Sequence, residues 1–133
     1  MTAVNELSPM ARALHEAEAA AERGEVPIGA VIVCHRRVIA SAGNRARELH
    51  DPTAHAEIVA LRAAAAAVGN YRLVDCELLV TVEPCLMCVG ALLQARVRRV
   101  VFGCSDPKGG FLGSLGDFSA DARLNHGFEI RGG

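Results

Sequence analysis

Two short clusters of chemically reactive residues, 30 positions apart, constrain the fold more than any other feature of this sequence. The first is His-Ala-Glu at residues 55–57, and the second is Pro-Cys-Leu-Met-Cys at residues 84–88. Patterns typical of helices cover residues 54–68 and 86–95. Each cluster is therefore expected at the amino-terminal end of a helix, where backbone N–H groups and the helix dipole stabilise negative charge. The same environment lowers the pKa of a thiol and favours thiolate ligands.

The rest of the chain alternates between helix and strand patterns. A first helix is predicted to begin at Pro9, with Ser8 as its cap, and to end near Gly24. Apolar runs predict strands at residues 28–34 and 38–40, joined as a hairpin, and further strands at 78–82, 100–102 and 128–130. Strands that alternate with helices form a sheet with parallel pairs, so we predict an α/β sandwich with ligands at the carboxyl ends of strands.

Composition indicates the class of protein. The chain has 133 residues, of which 51% are hydrophobic, enough for one domain with its own core. A formal net charge of −1 excludes a strongly basic protein that coats nucleic acids without sequence specificity. No uncharged apolar run reaches the roughly 18 residues that a membrane-spanning helix needs. Five glutamates among the first 25 residues are atypical of a secretory signal. We therefore expect one domain over residues 1–133 in a soluble, cytoplasmic protein.

The cysteines point to a metal site. Five cysteines in a chain without a secretory signal favour free or metal-bound thiols over disulfides. Cys85 and Cys88 are three residues apart and so project from one face of a helix, as two ligands of one ion must. Two thiolates with the imidazole of His55 suit Zn²⁺. His55 and Glu57 would point roughly 200° apart inside an ideal helix, so they converge only if the helix begins at the site. Glu57 would then lie beside an open coordination position, as in catalytic zinc sites.

Two other interpretations of the clusters remain open. A C-x-x-C pair at a helix start could be a redox pair, although His55 and Glu57 would then have no role. A closed structural zinc site would need a fourth protein ligand, which Cys104, Cys76 or His126 could provide.

Together the clusters match the H-x-E and P-C-x-x-C signature of zinc-dependent nucleoside and nucleobase deaminases. Residues 50–54, 70–73, 113–115 and 124–126, together with Glu83, extend the match. On these residues the chain resembles the cytidine and deoxycytidylate deaminase superfamily, and within it the bacterial tRNA-specific adenosine deaminases. The resemblance implies a three-layer α/β/α sandwich, like that of cytidine deaminases, with a central mixed sheet of about five strands.

The resemblance also implies an activity. It suggests a homodimeric hydrolase, with one Zn²⁺ per subunit, that converts adenosine to inosine at the wobble position of a tRNA anticodon loop. His55, Cys85 and Cys88 would bind the zinc ion, and Glu57 would be the catalytic residue that moves protons. Two alternative functions are a deaminase of free nucleobases or nucleosides, of the guanine or cytosine type, and a noncatalytic RNA-binding subunit. Glu57 disfavours the last, since such subunits typically lose this glutamate.

Substrate contacts are carried over from the resemblance in the same way. Asn44 would contact the target nucleoside, and Ile28 would pack against its base. Asp106 and Lys108 would lie on a loop that approaches the flanking nucleotides. The tRNA-acting branch usually continues into a C-terminal helical segment with aromatic and basic residues, which this chain is expected to lack.

One basic stretch precedes the first cluster. Arg36, Arg37, Arg45 and Arg47 have no acidic residue among them. Such a stretch is either a solvated surface or part of an RNA contact.

Overall fold

Three helices and five strands alternate along residues 8–133, which are the residues that the computed structural model describes. In chain order they are α1 (Pro9–Glu22), β1 (Gly29–Cys34), β2 (Arg37–Gly43), α2 (Ala56–Val68), β3 (Cys76–Val82), α3 (Leu86–Ala95), β4 (Arg99–Cys104) and β5 (Glu129–Gly132). All the predicted elements form, but β2, β3 and β4 are longer than expected, β5 lies slightly further along the chain, and α2 begins two residues later. None of the helices in the described range is long and apolar enough to cross a bilayer.

The five strands form one mixed sheet in the order β2-β1-β3-β4-β5. β1 runs antiparallel to β2 and β3, whereas β3, β4 and β5 run parallel to one another. The β1–β2 hairpin turns at His35 and Arg36, both with positive φ, as in the two-residue turns that match strand twist. The carboxyl ends of β2, β3 and β4 therefore meet the amino end of β1 at one edge of the sheet, which we call the site edge.

Helix α1 lies unusually close to one face of the sheet. Gly29 and Gly43 are paired across β1 and β2, and a Cβ at Gly29 would overlap the carbonyl oxygen of Ala13 in α1. A Cβ at Gly43 would lie 2.8 Å from the carbonyl oxygen of Glu16. The buried face of α1 is correspondingly made of alanines, namely Ala13, Ala17 and Ala20. Small residues on both sides let the helix backbone rest on the strands.

Helices α2 and α3 cover the opposite face of the sheet. The main core lies there, where branched side chains of the central strands meet one face of each helix. Its fully buried members include Ile32, Leu78, Val80, Val89, Leu92 and Val100. The order of helix, sheet and two helices confirms the predicted three-layer α/β/α sandwich with a central mixed sheet.

Candidate metal centre

Both reactive clusters begin helices at the site edge. His55 is the N-cap of α2, with φ −70° and ψ 157°, and Cys85 is the N-cap of α3, with φ −78° and ψ 172°. Neither side chain caps its own helix, so both remain available to a ligand. α2 begins at Ala56, directly after His55. The helix therefore begins at the site, as the convergence of His55 and Glu57 requires.

His55, Cys85 and Cys88 converge on one point. Nδ1 of His55 lies 3.6 Å from Sγ of Cys85 and 3.6 Å from Sγ of Cys88. Tetrahedral zinc, with its usual bonds to nitrogen and sulfur, places such atoms about 3.6 Å apart. The donor set and its spacing therefore fit Zn²⁺, and the imidazole has a role that a thiol redox pair would not give it.

The two thiols differ in their acidity. A hydrogen bond with the Cys88 side chain is the main cause that lowers the pKa of Cys85 to about 5, and His55 contributes in the same direction. The same hydrogen bond, together with burial, raises the pKa of Cys88, which is fully buried. One thiolate is thus available at neutral pH, whereas metal binding must displace the proton of the other thiol.

A fourth protein ligand is absent from the part of the chain that the structure describes. His55, Cys85 and Cys88 are the only ligand-type side chains there that lie close enough together to hold an ion. Nε2 of His126 instead lies 3.0 Å from the carbonyl oxygen of Val97. The other two candidates are also engaged elsewhere: the thiol of Cys104 donates to the carbonyl oxygen of Thr81 at 3.6 Å, and Cys76 pairs with Cys34 across β3 and β1. Within residues 8–133, therefore, a closed structural site with four protein ligands does not form, and a tetrahedral ion held there would keep one position for a ligand from outside the protein.

Glu57 is buried beside these residues without being grouped with them. Its residue surface is 3% exposed, and its Oε1 has no hydrogen-bond partner among the described residues. Burial is the main cause that raises the pKa of Glu57 to about 7, and the neighbouring Cys85 adds to the rise. Burying a carboxylate oxygen without a hydrogen-bond partner costs stability. The position of this oxygen therefore indicates a role in binding a ligand or a water molecule.

Asn44 and Ile28 lie at the site edge, where β2 ends and β1 begins. Oδ1 of Asn44 accepts a hydrogen bond from the backbone N–H of Ala56 at 2.7 Å, which caps α2 in place of His55. The backbone N–H of Asn44 donates to the carbonyl oxygen of Ile28 at 3.3 Å. This arrangement leaves Nδ2 as the donor that Asn44 can offer to a ligand.

Asp106 and Lys108 lie on the segment that follows β4, residues 105–116, which we call the β4 loop. Oδ1 of Asp106 accepts the backbone N–H groups of Lys108 at 3.2 Å and Gly109 at 3.3 Å. An antiparallel bridge between Gly110 and Cys85 brings the loop to the metal-binding segment. The side chain of Lys108 is exposed to solvent.

The basic stretch is divided between two ends of the sheet. Arg36 and Arg37 lie at the hairpin turn, at the end of the sheet opposite the metal centre. Arg45 and Arg47 follow β2 at the site edge, and Arg45 forms an ion pair with Glu48 at 2.8 Å. Of this stretch, only Arg45 and Arg47 are therefore placed to contact a substrate at the metal centre.

Sequence reasoning gave Glu83 no role, although Glu83 is among the best-connected polar groups at this edge. Burial alone would raise the pKa of Glu83, but hydrogen bonds from Ser114 and from the backbone of Asp106 and Leu112 outweigh it and lower the pKa to about 2. The only signal in the sequence is its place immediately before Pro84 and Cys85. Its partners lie 23 to 31 positions further along the chain.

Comparison with known proteins decides the family. A family model described as the cytidine and deoxycytidylate deaminase zinc-binding region matches residues 4–104. This chain belongs to the cytidine and deoxycytidylate deaminase family. The matched region contains His55, Glu57, Cys85 and Cys88, and the grouped ligand atoms together with this membership confirm the predicted zinc cofactor.

Two of the similar proteins match nearly the whole chain, and a third matches about three quarters of it. A tRNA-specific adenosine deaminase of Agrobacterium fabrum (strain C58) is 50% identical over 124 residues, which cover 93% of this chain and 82% of the relative. A solved structure from a study of A-to-I editing by tRNA deaminases at the wobble position superposes with a TM-score of 0.91. It is 50% identical, and the match covers 94% of this chain and 96% of that one. A guanine deaminase from Bacillus subtilis superposes with a TM-score of 0.71 at 40% identity, covering 73% of this chain and 62% of the other.

Proposed function

We propose that this chain is a zinc-dependent hydrolase that converts adenosine to inosine at the wobble position of a tRNA anticodon loop. The observation that carries the proposal is its 50% identity to a tRNA-specific adenosine deaminase over 93% of the chain. A TM-score of 0.91 to a structure from a study of tRNA deaminases agrees with it. In this proposal His55, Cys85 and Cys88 are the zinc ligands and Glu57 is the catalytic residue.

In the proposed mechanism, the zinc ion would act as a Lewis acid and Glu57 transfers the protons. When bound, the zinc ion would supply Lewis acidity that lowers the pKa of water to about 7. Glu57, through its unpartnered Oε1, takes a proton from the water that attacks C6 of adenine. Glu57 delivers that proton to N1 of the ring, then takes the remaining proton of the attacking oxygen and passes it to the amino group as the bond from C6 to that group breaks. Adenosine and water thereby give inosine and ammonia.

The substrate is proposed to be held by groups at the site edge. C6 of adenine is inaccessible in a stacked helix, so the reacting base should come from an unpaired loop. Asn44 donates through Nδ2 to the nucleoside, because its Oδ1 is engaged by Ala56. Ile28, which is half-buried, packs against the base. Asp106 and Lys108 meet the flanking nucleotides.

A substrate panel tests this function. We expect inosine to form in an anticodon stem-loop with adenosine at the wobble position, and little or none in a control stem-loop with that adenosine moved into the paired stem. The measurement is nucleoside composition after digestion. Free guanine and cytosine are assayed in parallel through xanthine and uracil. Conversion of free guanine without any inosine would contradict the proposal and favour the alternative, which the likeness to a guanine deaminase supports.

A second copy of this chain is the protein partner that we propose. An apolar cleft of about 470 Å³ lies between α2 and α3, on the outer side of the core, and its lining includes Ile58, Tyr71 and Ala91. Tyr71 is 73% exposed. An apolar cleft beside an exposed aromatic side chain suits a contact with another protein surface.

We expect a solution mass of twice 14.0 kDa by light scattering. Tyr71→Asp is expected to shift the protein toward the monomer, because it places a charge on the apolar face. The control Leu14→Asp changes an exposed residue of α1, on the other face of the sheet, and should leave the mass unchanged. A monomer at all concentrations would exclude the homodimer.

We further propose that residues 1–133 act as a single deaminase domain in the cytoplasm. One continuous sheet joins β1 to β5, which supports a single unit. None of the five cysteines, all of which lie in the described residues, forms a disulfide, as suits a reducing compartment.

A further inference from the structure

Glu83 is a buried carboxylate that holds the β4 loop from the end of β3. It is 4% exposed, although it lies at the site edge. Oε1 accepts the backbone N–H of Asp106 at 3.0 Å, and Oε2 accepts those of Leu112 at 2.8 Å and Ser114 at 3.0 Å. The hydroxyl of Ser114 also donates to Oε1. Four donors from one loop thus converge on a single side chain.

A backbone contact attaches the same loop to the segment that carries the zinc ligand Cys85. Gly110 pairs with Cys85 in an isolated antiparallel bridge. In this bridge the backbone N–H of Phe111 donates to the carbonyl oxygen of Pro84 at 2.8 Å. The residues from 83 to 85 therefore contact the loop through one side chain and one stretch of backbone.

The loop is shaped to fit this carboxylate. A Cβ added at Gly110 would overlap the carboxylate of Glu83. The φ of Gly110 is not among the positive values in the chain, so conformational freedom does not explain this glycine. Close approach to Glu83 explains it instead.

We propose that Glu83 is a positioning residue, which fixes the β4 loop in one conformation relative to the metal centre. The loop carries Asp106 and Lys108, so Glu83 determines where these residues meet the nucleotides that flank the reacting adenosine. This part of the inference rests on the proposed function. Without the carboxylate, buried N–H groups of the loop lose their acceptor, and the loop opens more often. Holding such groups in place before the substrate arrives lowers the cost of binding.

Lys108 offers a direct probe of the loop, because it is the only lysine in the chain. A lysine-specific endoprotease can cut the native protein only there, and the cut requires the loop to open locally. We expect Glu83→Gln to be cut about tenfold faster than the unchanged protein, as the loss of buried hydrogen bonds implies. Fragment formation is followed by mass spectrometry. Equal rates for the two proteins would overturn the proposal.

Asp121→Asn is the matched control. Oδ1 of Asp121 accepts the backbone N–H of Arg123 at 2.9 Å, so this carboxylate also holds a turn, but outside the β4 loop. The control is expected to be cut at the unchanged rate. Equal acceleration in the control and in Glu83→Gln would overturn the proposal, because it would indicate a general loss of stability.

Kinetics separate positioning of the loop from support of the metal. We expect Glu83→Gln to raise KM for the anticodon stem-loop about tenfold, to change kcat by less than about threefold, and to keep its zinc content. Loss of zinc from this variant would overturn the proposal, since Glu83 would then act on the ligands. If the unchanged protein makes no inosine, the proposed function fails, while the protease experiment still decides the role of Glu83.

Gly110→Ala tests the same contact from the loop side and decides the question if Glu83→Gln does not fold. Its methyl group displaces the carboxylate without removing the charge, so the cut at Lys108 should again be faster. Because both changes break one contact, the double variant should be cut no faster than the more sensitive single variant. The proposal would be overturned if the acceleration in the double variant equalled the product of the accelerations in the two single variants. It would also be overturned if a folded Gly110→Ala protein were cut no faster than the unchanged protein.

Discussion

Replacing Glu57 with alanine is expected to lower kcat for tRNA adenosine deamination by about a thousandfold or more. Glu57 moves every proton in the proposed mechanism, and among the described residues no carboxylate that could replace it is grouped with the zinc ligands. The zinc content should stay at one ion per chain, because His55, Cys85 and Cys88 remain. Inosine formation and zinc are measured on the same preparation, the latter by atomic spectroscopy.

The change at Glu57 should have little effect on folding. Its Oε1 is buried without a partner, so alanine removes a desolvation cost as well as packing contacts. The control is Glu77→Ala, which removes a partly buried carboxylate that forms an ion pair with Arg98 near the opposite end of β3. This control should retain activity. A Glu57→Ala protein without zinc would show that Glu57 is a ligand, contrary to the proposal.

Replacing Cys88 with alanine is expected to release the zinc ion and to destabilise the domain. Cys88 is fully buried in the first turn of α3, where no neighbouring thiol can replace it. Metal binding stabilises the folded state in proportion to the logarithm of metal concentration over Kd, or about 4 kcal/mol at a thousandfold excess. The variant should therefore melt at a lower temperature, close to that of the unchanged protein after chelation.

Cys104→Ala is the control for that experiment. Cys104 is exposed at the end of β4 and donates only to the carbonyl oxygen of Thr81. Its loss should leave both zinc content and melting temperature nearly unchanged. Zinc at one ion per chain in the Cys88→Ala protein would remove Cys88 from the ligand set, and equal zinc loss in both variants would point to nonspecific damage.

Helix boundaries near the site were largely predictable because their signals are local. The helix predicted at residues 86–95 is α3 as observed, and Ser8 caps α1 through a hydrogen bond from the backbone N–H of Ala11 at 3.2 Å. Strand lengths were less predictable. β2 extends to Gly43, beyond its apolar run, because its pairing with β1 continues to Gly29. Pairing of this kind depends on a neighbouring strand, which periodicity alone does not reveal.

From the sequence, His55 and Glu57 could be predicted to converge only on the condition that α2 begins directly after His55. The condition is met because Asn44, twelve positions earlier, accepts the N–H of Ala56 and so caps α2 just after His55. Nothing local to residues 55–57 specifies that bond. The division of the basic stretch between two ends of the sheet is likewise a consequence of the β1–β2 hairpin.

The sequence by itself predicted a zinc site and three candidate ligands for it. Thiol and imidazole chemistry, and the spacing of Cys85 and Cys88 on one helix face, do not depend on distant parts of the chain. The tertiary structure decided which residues surround the centre. It brought the unpartnered oxygen of Glu57 beside the ligands and placed the β4 loop on Glu83. These contacts join residues far apart in the chain, and their geometry exists only when the sheet and helices have packed.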